Sequence, residues 1–127
     1  GVFEACVYAA DLDAAIAFYG GVLGLAVESD FRPTGVVFRA GPGSVVIVFD
    51  PAESSRAGRD VPAHGADGPG HVALSADPGE RGAWRDLLTE EGVEIEREIA
   101  WPSGAWSVYV RDPGGNSVEL AGRDLWS

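Results

Sequence analysis

The sequence predicts an α+β fold made of two βαβββ modules, residues 1–50 and 71–127, with a linker over 51–70. Three observations carry this reading. The order strand, helix, three strands occurs twice along 127 residues. The segment between the two runs, "DPAESSRAGRDVPAHGADGPG" (50–70), is rich in Pro, Gly and Ser and has no apolar periodicity. Short stretches of the halves also align. Glu4 falls on His71 at an offset of 67, and "AFY" (17–19) falls near "AWR" (83–85). "FRAGPGSVVIVF" lines up with "VRDPGGNSVELA", which sets Arg39 on Arg111 and Ile47 on Glu119. A helix on one face of a four-stranded sheet leaves the other face free. Two such free faces are expected to curl into one shared open cup, within a single domain spanning 1–127.

Each element has a local reason. "VFEACVY" (2–8) alternates as a strand does. "ADLDAAIAFYGGVLGL" reads as a helix with Asp11 at the N-cap, Ala15, Phe18, Tyr19 and Val22 on the apolar stripe, and Gly24 as the stop. Strand-like runs follow at 25–29, 35–40 and 44–49, separated by "RPTG" and "GPG" turns. In the second module "HVALSA" is a strand and "DPGERGAWRDLLTEEG" a helix. Its Asp77, Pro78 and Glu80 make a capping box, Trp84, Leu87 and Leu88 form its buried stripe, and Gly92 ends it. Strands over 93–99, 105–111 and 117–121 complete the set.

Composition narrows the function classes. With 46% hydrophobic and 23% charged residues the chain is globular, and it has no apolar run long enough to span a bilayer. A net charge of −11 opposes nucleic acid and anionic membranes and favours a cationic ligand. The opening "GVFEACVYAADLD" carries acids and no basic residue, unlike a secretory leader. A single cysteine, Cys6, excludes an internal disulfide and suits a reducing, cytoplasmic setting. No phosphate loop, nucleophile elbow or zinc-finger spacing occurs.

Strand parity picks out the candidate site. In 3–8, Ala5 and Val7 face the helix and leave Glu4, Cys6 and Tyr8 on the open face. In 71–75, Val72 and Leu74 face inward and leave His71, Ala73 and Ser75 open. In the last strand Ser117 and Glu119 take that side. Glu4, His71 and Glu119 are therefore expected to project into one concavity, where two carboxylates and an imidazole suit a divalent metal. Each residue also has an ordinary alternative. Glu4 would be a solvated edge residue, His71 would bond a carbonyl, and Glu119 would pair with Arg111 or Arg39. His64 on the linker is a candidate fourth ligand or general base, or else an exposed loop histidine. Cys6, Tyr8, Trp106 and Tyr109 are candidate cavity-lining residues.

The segments "YAADLDAAIAFYGGVLGL", "GPGHVALSA" and "DPGGNSVEL" together resemble the vicinal oxygen chelate superfamily. That superfamily holds glyoxalase I, extradiol dioxygenases, and fosfomycin- and bleomycin-resistance proteins, and the resemblance covers essentially the whole chain. It implies the glyoxalase/dioxygenase-like fold, with paired modules closing within one chain or across a homodimer. It also implies metal ligands at Glu4, His71 and Glu119, with His71 and Glu119 at the catalytic centre. The metal would be Zn, Fe, Mn, Ni or Co and the partner a small oxygen-rich substrate. The first ligand is commonly His in that superfamily and is Glu here. The fourth ligand position of glyoxalase-type members falls on Ile47, which has no donor atom. Three readings follow: a divalent-metal-dependent enzyme (lyase, isomerase, transferase or dioxygenase), a metal-free protein that sequesters an antibiotic, or a degenerate member with only a structural role, its cup filled by side chains and Glu119 salt-bridged.

Overall fold

A computed structural model describes all residues 1–127. Element order is β1 (Glu4–Tyr8), α1 (Leu12–Ala15) running on into a π-helix (Ile16–Val22), β2 (Val27–Phe31), β3 (Gly35–Gly41) and β4 (Ser44–Phe49). A short α2 (Pro51–Ser54) follows. Then come β5 (His71–Ala76), a 3₁₀ turn (Pro78–Glu80) leading into α3 (Arg81–Glu90), β6 (Arg97–Ala100), β7 (Trp106–Arg111) and β8 (Ser117–Gly122). The two sheets have the orders β1-β4-β3-β2 and β5-β8-β7-β6, each with one parallel and two antiparallel pairings. This is the duplicated βαβββ arrangement of an α+β fold. The register repeats too: Glu4 pairs with Val45 as His71 pairs with Ser117, and Cys6 pairs with Ile47 as Ala73 pairs with Glu119. Ile47 thus holds in the first sheet the place that Glu119 holds in the second.

The chain divides into two compact units, Gly1–Gly70 with Asp112–Asn116, and His71–Arg111 with Ser117–Ser127. In the first unit Val7, Val36, Phe38, Val46 and Val48 bury one sheet face beneath Leu12, Ala15, Phe18, Tyr19 and Leu23. Asp11 caps the helix as expected, accepting from the Ala14 N–H at 2.9 Å, and Gly24 ends it at a positive φ. The stripe differs by one residue at its end: Leu23 is buried and Val22 only half-buried. The Leu23 N–H bonds the Phe18 carbonyl at 2.9 Å, a five-residue step, so the wider π turn carries the apolar face from 18 to 23 rather than to 22. Within 51–70, read above as a linker, Asp50 caps the single turn α2 through the Ala52 N–H.

The DPGGN turn belongs to the first unit and explains its own composition. The Asp112 carboxylate is buried and takes hydrogen bonds from Tyr19 Oη (2.7 Å), the Asn116 N–H (2.7 Å) and Asn116 Nδ2 (2.9 Å). Asn116 Nδ2 also donates to the Tyr8 carbonyl (3.0 Å), and Asn116 Oδ1 accepts from the Gly70 N–H (2.7 Å). Burial and this carboxylate push the Tyr19 hydroxyl far above its ordinary range. Gly114 is required because a Cβ there would lie 2.8 Å from that of Ala9, and Gly115 because its φ is +87°.

In the second unit Asp77 and Glu80 form the expected capping box, and Gly92 ends α3 at a positive φ. Leu88 is fully buried, whereas Trp84 and Leu87 are half-buried. Val108, Val110, Val118 and Leu120 make the helix-side core.

Candidate functional site

Parity sends Ser107, Tyr109, Ser117 and Glu119 to the open face of the second sheet, with His71 on the adjacent β5. The Glu119 side chain is only 9% exposed and must be partnered. Its partner is neither arginine considered from the sequence. Arg111 is engaged by Glu96 at 2.6 Å and Arg39 by Glu28 at 3.2 Å, equivalent pairs that hold both acids below the usual carboxylate range by hydrogen bonding. Glu119 instead accepts from Ser107 Oγ at 2.5 Å, while Ser107 Oγ accepts from Trp101 Nε1 at 2.9 Å. This chain fixes one carboxylate oxygen and leaves the other facing His71.

His71 meets that oxygen at 3.3 Å, Nε2 to Oε2, and its Nδ1 lies 3.1 Å from the Ser117 carbonyl. A carbonyl only accepts, so Nδ1 carries the hydrogen and Nε2 is presented toward Glu119. A lone pair on Nε2 beside a carboxylate oxygen is unfavourable unless a proton or a cation lies between them. The pair is thus satisfied either as an imidazolium–carboxylate ion pair or by a cation shared between the two groups, each of which is oriented from behind. No group of three or more His, Cys, Asp or Glu side chains that could hold a metal is assembled within the chain. Tyr109 stacks near the His71 ring at 6.3 Å, and burial first, then the Glu119 charge, raises its hydroxyl above the ordinary value. A cavity of ≈ 350 Å³ opens over Glu119, walled by Trp101, Pro102, Ser103, Tyr109, Leu125 and Trp126.

Among the other sequence candidates, Glu4 is exposed on β1, on the face opposite the buried Val7, and Cys6 is an exposed free thiol. Ile47 is buried. Tyr8 is half-buried and its Oη lies 2.7 Å from Nδ1 of His64, itself half-buried instead of a free loop histidine. Trp106 requires a correction. It lies on the helix side of β7, buried, with Nε1 donating to the Pro78 carbonyl at 2.8 Å, so it lines no open-face cavity. The parity that places Ser107 and Tyr109 outward necessarily turns Trp106 inward. Ser107 and Trp101, the groups that orient Glu119, were not singled out from sequence. Ser107 was accessible to the same parity argument, since it shares a face with Tyr109.

A sequence model of the Glyoxalase/Bleomycin resistance protein/Dioxygenase superfamily matches residues 1–120. A lactoylglutathione lyase from Agrobacterium tumefaciens has the same fold at TM-score 0.94 and 41% identity, covering 100% of this chain and 96% of that one. A glyoxalase/bleomycin resistance protein/dioxygenase from Nocardioides matches at TM-score 0.74 and 25% identity, over 96% of this chain and 82% of its own. A glyoxalase/bleomycin resistance protein from Catenulispora acidiphila shares the fold at TM-score 0.68 and 22% identity, over 94% and 95% of the two chains. No curated protein matches the sequence. The chain belongs to the Glyoxalase/Bleomycin resistance protein/Dioxygenase superfamily.

Proposed function

We propose that the protein is a divalent-metal-dependent enzyme acting on a small substrate with two neighbouring oxygen atoms. The observation that carries this is the His71–Glu119 pair: a tautomer-fixed imidazole and a buried carboxylate 3.3 Å apart with no arginine on the acid. Glu4 is proposed as the third ligand, following the superfamily resemblance. When bound, such a cation withdraws charge from the substrate oxygens and stabilises negative charge that develops on them. The chain's own residues supply orientation: Ser117 sets the His71 ring, and Ser107 with Trp101 sets the Glu119 carboxylate. The 41% identity to a lactoylglutathione lyase makes S-lactoylglutathione the first substrate to try, although the buried Ile47 gives a donor set one ligand poorer than the glyoxalase-type pattern. Calorimetric titration with Ni²⁺ or Zn²⁺ tests the site. Wild type is expected to bind, and Glu119→Ala and His71→Ala to lose binding. Equal uptake by all three would end the assignment.

A second reading is metal-free sequestration of an antibiotic, favoured by the cavity that sets Trp101, Tyr109 and Trp126 around the Glu119 carboxylate in a protein of net charge −11. A flat cationic drug suits such walls. Tight calorimetric binding of bleomycin without metal and without chemical change would select it. We further propose a homodimer, consistent with the exposed Val2 and Phe3 beside β1, and a cytoplasmic location, consistent with the exposed thiol of Cys6. No helix is long and apolar enough to cross a membrane.

A further inference from the structure

Three of the four tryptophans are accounted for by the fold. Trp106 is buried with its Nε1 on the Pro78 carbonyl, Trp84 is half-buried on α3, and the half-buried Trp101 donates to Ser107 Oγ at 2.9 Å. Trp126 is the exception, at 93% exposed. It is nevertheless held in a defined place. The Arg123 N–H donates to the Ala76 carbonyl at 2.9 Å, and its guanidinium meets the Asp77 carboxylate at 2.8 Å, so the chain after β8 is tied to the end of β5. The Leu125 N–H then bonds the Gly122 carbonyl at 2.9 Å and the Ser127 N–H the Asp124 carbonyl at 3.2 Å. These two turns carry Leu125 and Trp126 to the wall of the Glu119 cavity. A lone exposed apolar side chain needs no explanation, but one that walls a cavity does.

The chemistry of this cavity is one-sided. Trp101, Pro102, Tyr109, Leu125 and Trp126 present rings and apolar carbon, Glu119 is its one charged group, and no arginine lines it. Trp101 is a fixed wall: Ser107 holds the indole, and the backbone closes a turn through Gly104 (2.9 Å) and Ala105 (2.8 Å). A flat ring laid along such walls finds the offset and edge contacts that aromatic groups prefer. The two carboxylates of a glutathione conjugate would find no basic partner there and would meet like charge in Glu119, in a chain of net charge −11. We propose that Trp126 is a specificity-determining residue that, with Trp101, selects a planar aromatic group attached to the two neighbouring oxygens of the substrate. This deepens the enzymatic reading above and rests on it: the oxygens belong to the His71–Glu119 end and the ring to the walls. The substrate class is then an uncharged aryl compound with adjacent oxygens, such as an aryl α-hydroxyketone, and not a peptide thioester.

The test compares two neutral ligands with the same pair of oxygens, α-hydroxyacetophenone and hydroxyacetone, by calorimetric titration of the metal-loaded protein. Wild type is expected to bind the aryl ligand about tenfold or more tightly, the scale set by burying the apolar surface of a ring. Trp126→Ala is expected to reduce that preference about tenfold. Its hydroxyacetone binding, metal stoichiometry and melting temperature should stay as in wild type, because this indole is not part of the core. Trp126→Phe keeps a ring and should retain most of the preference. S-lactoylglutathione is expected to bind about tenfold more weakly than the aryl ligand, or worse. Equal binding of the two neutral ligands by wild type would overturn the assignment, as would a preference that survives intact in Trp126→Ala. Tighter binding of S-lactoylglutathione than of α-hydroxyacetophenone would overturn it too. In each of these cases normal metal uptake leaves the enzymatic reading standing. A wild type that takes up no metal would instead overturn that reading, and ring selection with it.

Discussion

Asn116→Ala should strike the first unit harder than its size suggests. The buried amide makes three side-chain hydrogen bonds: to the Tyr8 carbonyl, the Gly70 N–H and the Asp112 carboxylate. Neutral bonds contribute about 1 kcal/mol each and one to a charged group about 1.5–3 kcal/mol, so truncation should cost about 3–5 kcal/mol. That is a large share of the ~5–15 kcal/mol that holds a domain folded. It corresponds to a fall of about 10–20 °C in melting temperature for a chain of this length. The assay is urea denaturation at unchanged m-value, followed by tryptophan fluorescence and circular dichroism. Asn116→Asp is the companion variant. It keeps the volume but sets a carboxylate oxygen where Nδ2 now donates, against two acceptors, and should be at least as damaging. A loss below about 1 kcal/mol for Asn116→Ala would refute the claim that the DPGGN turn is an anchor.

Tyr19→Phe removes one hydrogen bond to the Asp112 carboxylate and should cost about 1.5–3 kcal/mol in the same denaturation assay. Because the folded protein holds this hydroxyl's proton above the ordinary value of 10.0, its contribution is complete below about pH 10 and declines as pH rises further. Alkaline denaturation should therefore be steeper in wild type than in Tyr19→Phe, and parallel curves would contradict that. Asp77→Ala removes the cap of the second module's helix and the contact with Arg123, at an expected cost of about 1–2 kcal/mol. Glu80→Gln, which preserves the reciprocal half of the capping box, should be nearly silent by thermal melting.

What could be read from the chain was local or periodic. Asp11, Asp77, Gly24 and Gly92 act within one helical turn of themselves, so their residue types alone give the helix ends. Strand parity likewise set Glu119 on the open face, and the offset between halves gave the shared register of the two sheets. The misses have a common physical origin in contacts that sequence spacing does not encode. The π turn that exchanges Val22 for Leu23 follows from packing along the helix. Asp112 opens a DPGG run whose composition indicates a turn, yet its role depends on Tyr19, 93 positions away. His64 gave no periodic signal at all, and only Ser54, Phe49 and Tyr8 together explain its position. Trp106 and Tyr109 cannot share a face, because residues three apart on a strand point to opposite sides, and the buried Trp106 takes the helix side.

Elemental analysis of the natively purified protein tests the central assignment most directly. Wild type is expected to carry about one divalent transition-metal ion per chain and Glu119→Gln none, because its neutral amide keeps the shape but lacks the charge. A wild-type protein that arrives empty and takes up no Mn, Fe, Co, Ni or Zn would contradict it.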